Sequence, residues 1–153
     1  MVEVTHVIDS PPGRLLLVAS ATGLCRIEFT DDHEPSRLVA TNPHLFAATQ
    51  KLGEYFAGQR RDFALALEPQ GTAFQLAAWN VLRTIPYGST ITYGEQAMAM
   101  GKPRAVRAVG GANGRNPLAI VVPCHRVIGA GGKLTGYASG VDRKAWLLEF
   151  ESK

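Results

Sequence analysis

Cysteine is scarce in this chain: among 153 residues there are only Cys25 and Cys124. No Cys-x-x-Cys occurs and the two have no framework spacing, so a multiply disulfide-stapled fold is excluded, a single Cys25–Cys124 bridge being the alternative to free thiols. Both are expected to be reduced thiols in a cytoplasmic compartment. The four histidines, His6, His33, His44 and His125, are scattered, and no metal site is expected. No apolar run approaches the roughly 18 residues a membrane span needs. Met1-Val2-Glu3-Val4-Thr5-His6 lacks the basic and apolar regions of a signal peptide, so no leader is expected. Internal repeats, low-complexity tracts and a Walker-type phosphate loop are also missing.

What is present fits a globular protein. Apolar residues make up 46% and charged ones 19%, enough for one compact domain or two small ones. The net charge of +3 is unevenly spread. Residues 1–70 hold 6 Lys/Arg and 9 Asp/Glu, a net of −3, whereas residues 71–153 hold 10 and 4, a net of +6. The second half is the candidate for a polyanionic partner, against the plainer reading of a solvated basic surface.

Residues 1–70 read as a small α/β unit. Val2, Val4, His6 and Ile8 alternate, and Leu15 to Ala19 and Leu24 to Phe29 are strand-like runs around Thr22-Gly23. Asp31 to Pro35 is a polar loop. Asn42-Pro43 supplies a cap and a first-position proline for a helix whose face is Leu45, Ala48, Leu52, Tyr55 and Phe56, closed by Gly58. Phe63 to Leu67 is expected to be a last strand.

Glu68-Pro69-Gln70-Gly71 marks the boundary. Thr72 caps a helix bearing Phe74, Ala77, Ala78, Val81, Leu82 and Ile85, ended by Pro86. Thr92 caps a second helix, Tyr93 to Met100. Pro103 is expected to open a third, Arg104 to about Asn113, which Gly110-Gly111, Gly114 and Asn116-Pro117 end. Two helices across a glycine turn match a helix-turn-helix. Asp142 to Glu151 is a closing helix with Ala145, Trp146, Leu148 and Phe150.

The chemistry concentrates in Pro123-Cys124-His125-Arg126-Val127, on an expected strand after the apolar run Ile120-Val121-Val122. A thiol with an ordinary pKa of about 8.5 is ionised only to a few per cent at neutral pH. A neighbouring imidazole that takes its proton makes it a nucleophile. Adjacency alone says little, since neighbours on an extended strand point apart. Upstream, Arg104-Ala105-Val106-Arg107-Ala108-Val109-Gly110-Gly111-Ala112-Asn113 combines small side chains with arginines at i and i+3, which suits close approach to a phosphate backbone or groove.

Together, Arg107-Ala108-Val109-Gly110-Gly111-Ala112, Asn116-Pro117 and Pro123-Cys124-His125-Arg126-Val127 resemble the O6-alkylguanine-DNA alkyltransferases, the methylated-DNA–protein-cysteine methyltransferases. Ile85-Pro86-Tyr87-Gly88, Thr92-Tyr93-Gly94 and Gly136-Tyr137 stand in family order and spacing. The resemblance covers about residues 72–151; residues 1–70 match in length and strand pattern. It implies an α+β fold: a ribonuclease-H-like scaffold domain over 1–70, then a helix-turn-helix (winged-helix-like) alkyltransferase domain over 71–153.

The resemblance also implies roles. Cys124 would accept the alkyl group irreversibly, His125 would take its proton through a water, and Glu151 would orient His125. Asn116 would pin the loop before Cys124. Tyr93 would push on the target phosphate and assist the leaving guanine. Arg107 would fill the gap left by a flipped base, with Arg104, Ala105, Ala108, Gly110 and Tyr93 at the DNA. Val127, Tyr137 and Ala138 would line the base pocket, and Arg126 would support the site. The expected partner is duplex DNA with O6-alkylguanine, and O4-alkylthymine besides, bound from the minor groove. A monomer is expected, with cooperativity on DNA left open, and no cofactor.

Ala138 stands where some members carry serine and Ala119 where some carry proline, so benzyl-type groups should react more weakly than methyl. Asn113 occupies a position that is often apolar. Three other readings differ in what they require: an alkylation sensor would lack Cys124, a cysteine hydrolase would need an oxyanion hole, and a plain regulator would tolerate Cys124→Ser.

Overall fold

The computed structural model describes residues 3–34 and 42–153; Val2 of the alternating run and Pro35 of the polar loop fall outside them. The chain divides into two compact units, Met1–Gln70 and Gly71–Lys153.

In the first unit, β1 (Val4–Ile8), β2 (Leu15–Ala19) and β3 (Leu24–Phe29) form an antiparallel sheet in that order. The register sets Leu17 between His6 and Ile27, and Leu15 between Ile8 and Phe29. Directly opposed residues share a face, and this one is the core face: Leu15, Leu17, Leu24 and Ile27 are buried. α1 (Pro43–Phe56) packs against all three strands. Asn42 caps it by accepting from His44 N at 2.9 Å and Leu45 N at 3.0 Å. Leu45, Ala48, Leu52 and Tyr55 form its buried stripe, with Phe56 at the margin. Gly58 follows the helix at φ 77°, a conformation that glycine adopts without a Cβ penalty. Truncating Leu52 to alanine in such a core costs about 2–5 kcal/mol.

Phe63 to Leu67 is not a strand. It makes one isolated parallel bridge, Leu67 to Leu24. Its pairing is confined to Leu24 N to Ala66 O and Glu68 N to Leu24 O, each at 2.8 Å, and the Ala64 carbonyl accepts from Lys51 Nζ at 2.5 Å.

In the second unit, α2 (Ala73–Leu82) and α3 (Tyr93–Ala99) both start in capping boxes. Thr72 and Gln75 exchange bonds of 3.1 and 2.9 Å, and so do Thr92 and Glu95. α4 (Val106–Gly114) completes a mutually packed three-helix cluster. Trp79 is buried and donates Nε1–H to Ala112 O at 2.8 Å, fastening α2 to α4. Trp79 replaces Ala77, which is exposed, on the expected face of α2, and Ile85 is buried beyond the helix end.

Three further expectations change. Pro103 and Arg104 lie in the turn, and α4 begins only at Val106, without a side-chain cap. Gly110 and Gly111 do not end α4: the helix runs through them to Gly114. Cys124–Arg126 is a 3₁₀ turn rather than strand. The strand that follows, β5 (Val127–Ile128), pairs in parallel with β4 (Ile91–Thr92). α5 (Val141–Glu151) closes the unit against the 3₁₀ turn. Its buried face is Lys144, Leu147 and Glu151, not Ala145, Trp146, Leu148 and Phe150, which are only half-buried. Among the described residues, no helix is long and apolar enough to cross a membrane.

Candidate active site

Two tight turns deliver Cys124 to its place. Ala119 O accepts from Val121 N at 2.8 Å around Ile120, whose φ is 72°. This is the rarer, strained form of γ-turn, in a β-branched residue. Strain of this kind costs about 1–3 kcal/mol and persists only where the surroundings enforce it. Val122 O then accepts from Cys124 N at 2.9 Å around Pro123, at φ −84° and ψ 69°, the relaxed inverse γ-turn. Asn116 enforces the whole segment. Its Oδ1 accepts from Leu118 N at 3.0 Å and its Nδ2 donates to Val122 O at 2.7 Å. Ile120 itself is 1% exposed, so packing and clamp act together.

The 3₁₀ turn separates the side chains of Cys124, His125 and Arg126. The Cys124 thiol is half-buried and lines a cavity of about 540 Å³. His125 is wholly buried, and its Nε2 meets Glu151 Oε2 at 2.8 Å. Arg126 grips the same carboxylate side-on, Nε to Oε1 at 2.8 Å and Nη2 to Oε2 at 2.9 Å, while Nη1 donates to Ile85 O at 2.9 Å. Gly88 N–H also approaches Glu151 Oε1, at 3.5 Å. Glu151 is thus an internal anchor for two side chains of one turn.

This anchoring fixes the imidazole's tautomer. A carboxylate engaged by a guanidinium can only accept, so Nε2 carries the proton and Nδ1 keeps its lone pair. No protein group among the described residues bonds Nδ1. Burial lowers the His125 pKa below its ordinary value, with the Glu151 hydrogen bond and charge opposing. His125 therefore rests neutral, as a base must. Burial pushes the Cys124 thiol up, while the Asn116 hydrogen bond and the Lys144 charge pull it down. The resting pair is neutral thiol and neutral imidazole, with the means to stabilise a thiolate already in place.

Lys144 is the residue that sequence reasoning missed. It is wholly buried, and its Nζ donates to Thr135 O at 2.9 Å, Gly136 O at 3.3 Å and Tyr93 Oη at 3.4 Å. Burial lowers its pKa and the charge of Cys124 opposes this. A signal existed: counting back seven residues from Glu151, through Leu147, puts Lys144 on the same helical face. Tyr93, the first residue of α3, donates to Thr135 O at 3.0 Å. Burial raises its pKa, so it keeps its proton.

Tyr93, Arg107, Gly110, Asn113, Tyr137 and Ala138 share the cavity wall with Cys124. The Tyr137 hydroxyl is buried with no partner among the described residues, and burial raises its pKa well above the ordinary value. Val127 does not reach that wall: it is fully buried, its backbone paired with Ile91. Ala119 is buried in the clamped loop rather than at the cavity. Arg104, Arg107 and Ala108 are exposed and Ala105 is half-exposed at the start of α4. A Cβ built on Gly110 would stand 3.9 Å from the Tyr93 ring, an ordinary contact distance, so α4 passes close to Tyr93 at this point. The described residues contain no cluster of three or more His, Cys, Asp or Glu fit to hold a metal ion.

Comparison with known proteins agrees with this architecture. Residues 4–69 match the ribonuclease-like domain, and residues 73–153 the DNA-binding domain, of 6-O-methylguanine DNA methyltransferase. The methylated-DNA–protein-cysteine methyltransferase of Mycolicibacterium paratuberculosis is 52% identical over 149 residues, covering 95% of this chain and 90% of that one. A crystal structure of Mycobacterium tuberculosis O6-methylguanine methyltransferase superposes with a TM-score of 0.87 at 47% identity, over 99% of this chain and 93% of that one. The structure of M. tuberculosis OGT in complex with DNA gives 0.87 at 46% identity, over 97% and 92%. The chain belongs to the 6-O-methylguanine DNA methyltransferase family.

Proposed function

We propose that this protein repairs alkylated DNA by moving a methyl group from O6 of guanine to Cys124, once per molecule. One observation carries the reading. The Cys124 thiol opens into a cavity whose wall also holds Arg107, while the adjacent His125 is locked by Glu151 in the tautomer that accepts a proton. Nucleophile, base and a cation for a polyanion thus converge in residues 71–153, which act as the alkyltransferase domain, with residues 1–70 as scaffold.

In the transfer, the thiol proton passes to Nδ1 of His125, through a water. Sulfur attacks the methyl carbon, a C–S bond forms and the C–O6 bond breaks, its electron pair remaining on the guanine. A proton from Tyr93 completes the leaving base. Lys144 and Asn116 stabilise the thiolate as it develops. The thioether has no leaving group for a return step, so the protein is consumed and no cofactor takes part.

O6 lies inside the duplex, out of reach of a thiol held in a cavity, so the base must be extruded. Extrusion costs a few kcal/mol, less for a lesion that pairs badly. α4 enters the minor groove with Ala105, Ala108 and Gly110 close to the backbone, Arg104 on phosphate and Arg107 in the gap. Val127 supports the pocket from behind, and Tyr137 and Ala138 bound it. O4-alkylthymine presents a similar alkyl ether and is a second substrate. The protein acts as a monomer in a reducing, cytoplasmic compartment.

The test is mass analysis after mixing with excess duplex containing O6-methylguanine. One methyl on the peptide holding Cys124, one guanine restored per protein and no turnover is the expected result. Unmodified protein that still binds the duplex points to lesion sensing instead.

A further inference from the structure

Asn113 ends α4 at a place where packing alone asks for an apolar side chain. It is 7% exposed and lines the cavity shared with Cys124. Facing it is Gln96, wholly buried on α3 one turn beyond Tyr93. The two amides bond reciprocally: Gln96 Nε2 donates to Asn113 Oδ1 at 3.0 Å, and Asn113 Nδ2 donates to Gln96 Oε1 at 2.8 Å. Gln96 Nε2 also donates to Ala78 O, at 3.2 Å.

That third bond fixes the orientation of both amides. A backbone carbonyl only accepts, so the nitrogen of Gln96 must face Ala78. Gln96 then presents its oxygen to Asn113, which must answer with Nδ2. Gln96 spends both of its N–H groups. Asn113 spends one, the hydrogen on the side of its own carbonyl, as a reciprocal amide pair requires. The other hydrogen lies in the same plane and points away from Gln96. No protein acceptor takes it among the described residues. Asn113 lines the cavity, so this N–H is left for an acceptor that arrives there.

We infer that Asn113 is a substrate-binding residue: its unspent Nδ2–H donates to a ring-nitrogen acceptor of the extruded alkylated base, and Gln96 is the positioning residue that holds the amide in that orientation. The inference rests on the alkyl-transfer reading above. O6-alkylguanine offers such acceptors, and the donor enters the cavity already oriented by α2 and α3, so little ordering is needed on binding.

The decisive variants are Asn113→Leu and the double variant Gln96→Leu/Asn113→Leu. The single change strands the Gln96 amide and lowers the thermal midpoint. The double change removes both partners, which is close to neutral for stability. With O6-methylguanine duplex, the double variant is expected to match wild type in thermal midpoint and duplex affinity. Its single-turnover transfer rate is expected to stay about five- to tenfold lower. Transfer at the wild-type rate would mean that the amides only pack, and would overturn the inference. If the double variant does not fold, Gln96→Met/Asn113→Leu, closer in shape to the native pair and without a new charge, takes its place. Slower transfer at unchanged duplex affinity then supports the donor role, and an unchanged rate overturns it. Wild-type protein that transfers no methyl overturns the alkyl-transfer reading and this inference with it. Wild-type transfer matched by the double variant removes this inference alone.

Discussion

Each unit carries one cysteine, and the surroundings of the two thiols differ in kind. Cys25 sits half-buried in β3, its thiol turned to Gly23 O at 3.6 Å. Cys124 follows two γ-turns held by Asn116, faces the charge of Lys144 and precedes a histidine committed to Glu151. The arginines divide the same way. In the first unit Arg14, Arg26 and Arg60 form surface ion pairs with Asp9 and Glu34, Glu28, and Glu54 and Asp62. In the second, Arg126 pairs internally with Glu151, whereas Lys102, Arg104, Arg107 and Arg115 form no ion pair among the described residues. The first unit spends its charges on itself. The second leaves them open around a prepared thiol, the arrangement a polyanionic substrate requires.

The largest effect should come from exchanging the thiols' fates. Cys124→Ser is expected to abolish methyl uptake from O6-methylguanine duplex while duplex binding persists. Cys25→Ser should leave uptake at one methyl per protein. Intact mass and a binding titration on both variants check this; a methyl found on Cys25 would break the comparison.

Glu151→Gln probes the anchor. It leaves Arg126 buried without its counter-charge, a loss of about 3–5 kcal/mol, visible as a lower thermal midpoint, and it frees His125 to change tautomer. Transfer should fall by orders of magnitude. In the proposed transfer the neutral imidazole is the active form, and burial lowers its pKa from the ordinary value of about 6.5. The rate should therefore hold at pH 6.5 and fall only at lower pH, as His125 protonates. Stability follows the same sign. The unfolded histidine takes up a proton near 6.5 while the folded one does not, so this contribution is present above 6.5 and is lost as pH falls to the folded value. A rate–pH profile and unfolding at several pH values test both statements.

Much of this was legible in the sequence because it is local. Asn42-Pro43, Thr72 with Gln75 and Thr92 with Glu95 declare helix starts through contacts three residues apart. Val4–Ile8, Leu15–Ala19 and Leu24–Phe29 declare strands by composition. Pro123-Cys124-His125 declares the proposed nucleophile. What sequence hid depends on partners distant in the chain. Phe63 to Leu67 has the alternation of a strand, but it meets the sheet at one bridge only, Leu67 to Leu24. Lys144 reads as a surface residue until Tyr93, Thr135 and Gly136 are seen around it. Asn113 looks misplaced until Gln96 faces it. The positive φ of Ile120 has no signature in a β-branched residue that ordinarily avoids it.

The open cations of the second unit predict a salt signature. Arg104→Ala and Arg107→Ala should weaken binding to undamaged duplex, and each should reduce the slope of log affinity against log salt by about 1. Arg107→Ala should also slow transfer, since its side chain borders the cavity, whereas Arg104→Ala should act on affinity alone. Equal slopes for wild type and both variants would place the polyanion elsewhere.

The smallest effect belongs to the first unit. Arg60 holds Glu54 at 2.8 Å with side chains 27% and 34% exposed. Both ions keep much of their hydration, so the attraction is screened and ordering two side chains offsets part of it. Arg60→Ala should therefore cost no more than about 1 kcal/mol. Transfer and the salt slope should be unchanged, because this cation is already neutralised where it stands. Raising salt should lower wild-type stability toward that of the variant, since screening removes the same attraction that the substitution removes. A guanidinium whose loss changed the salt slope of DNA binding would count as open despite its ion pair, and the division between the two units would then have to be drawn by exposure and not by pairing.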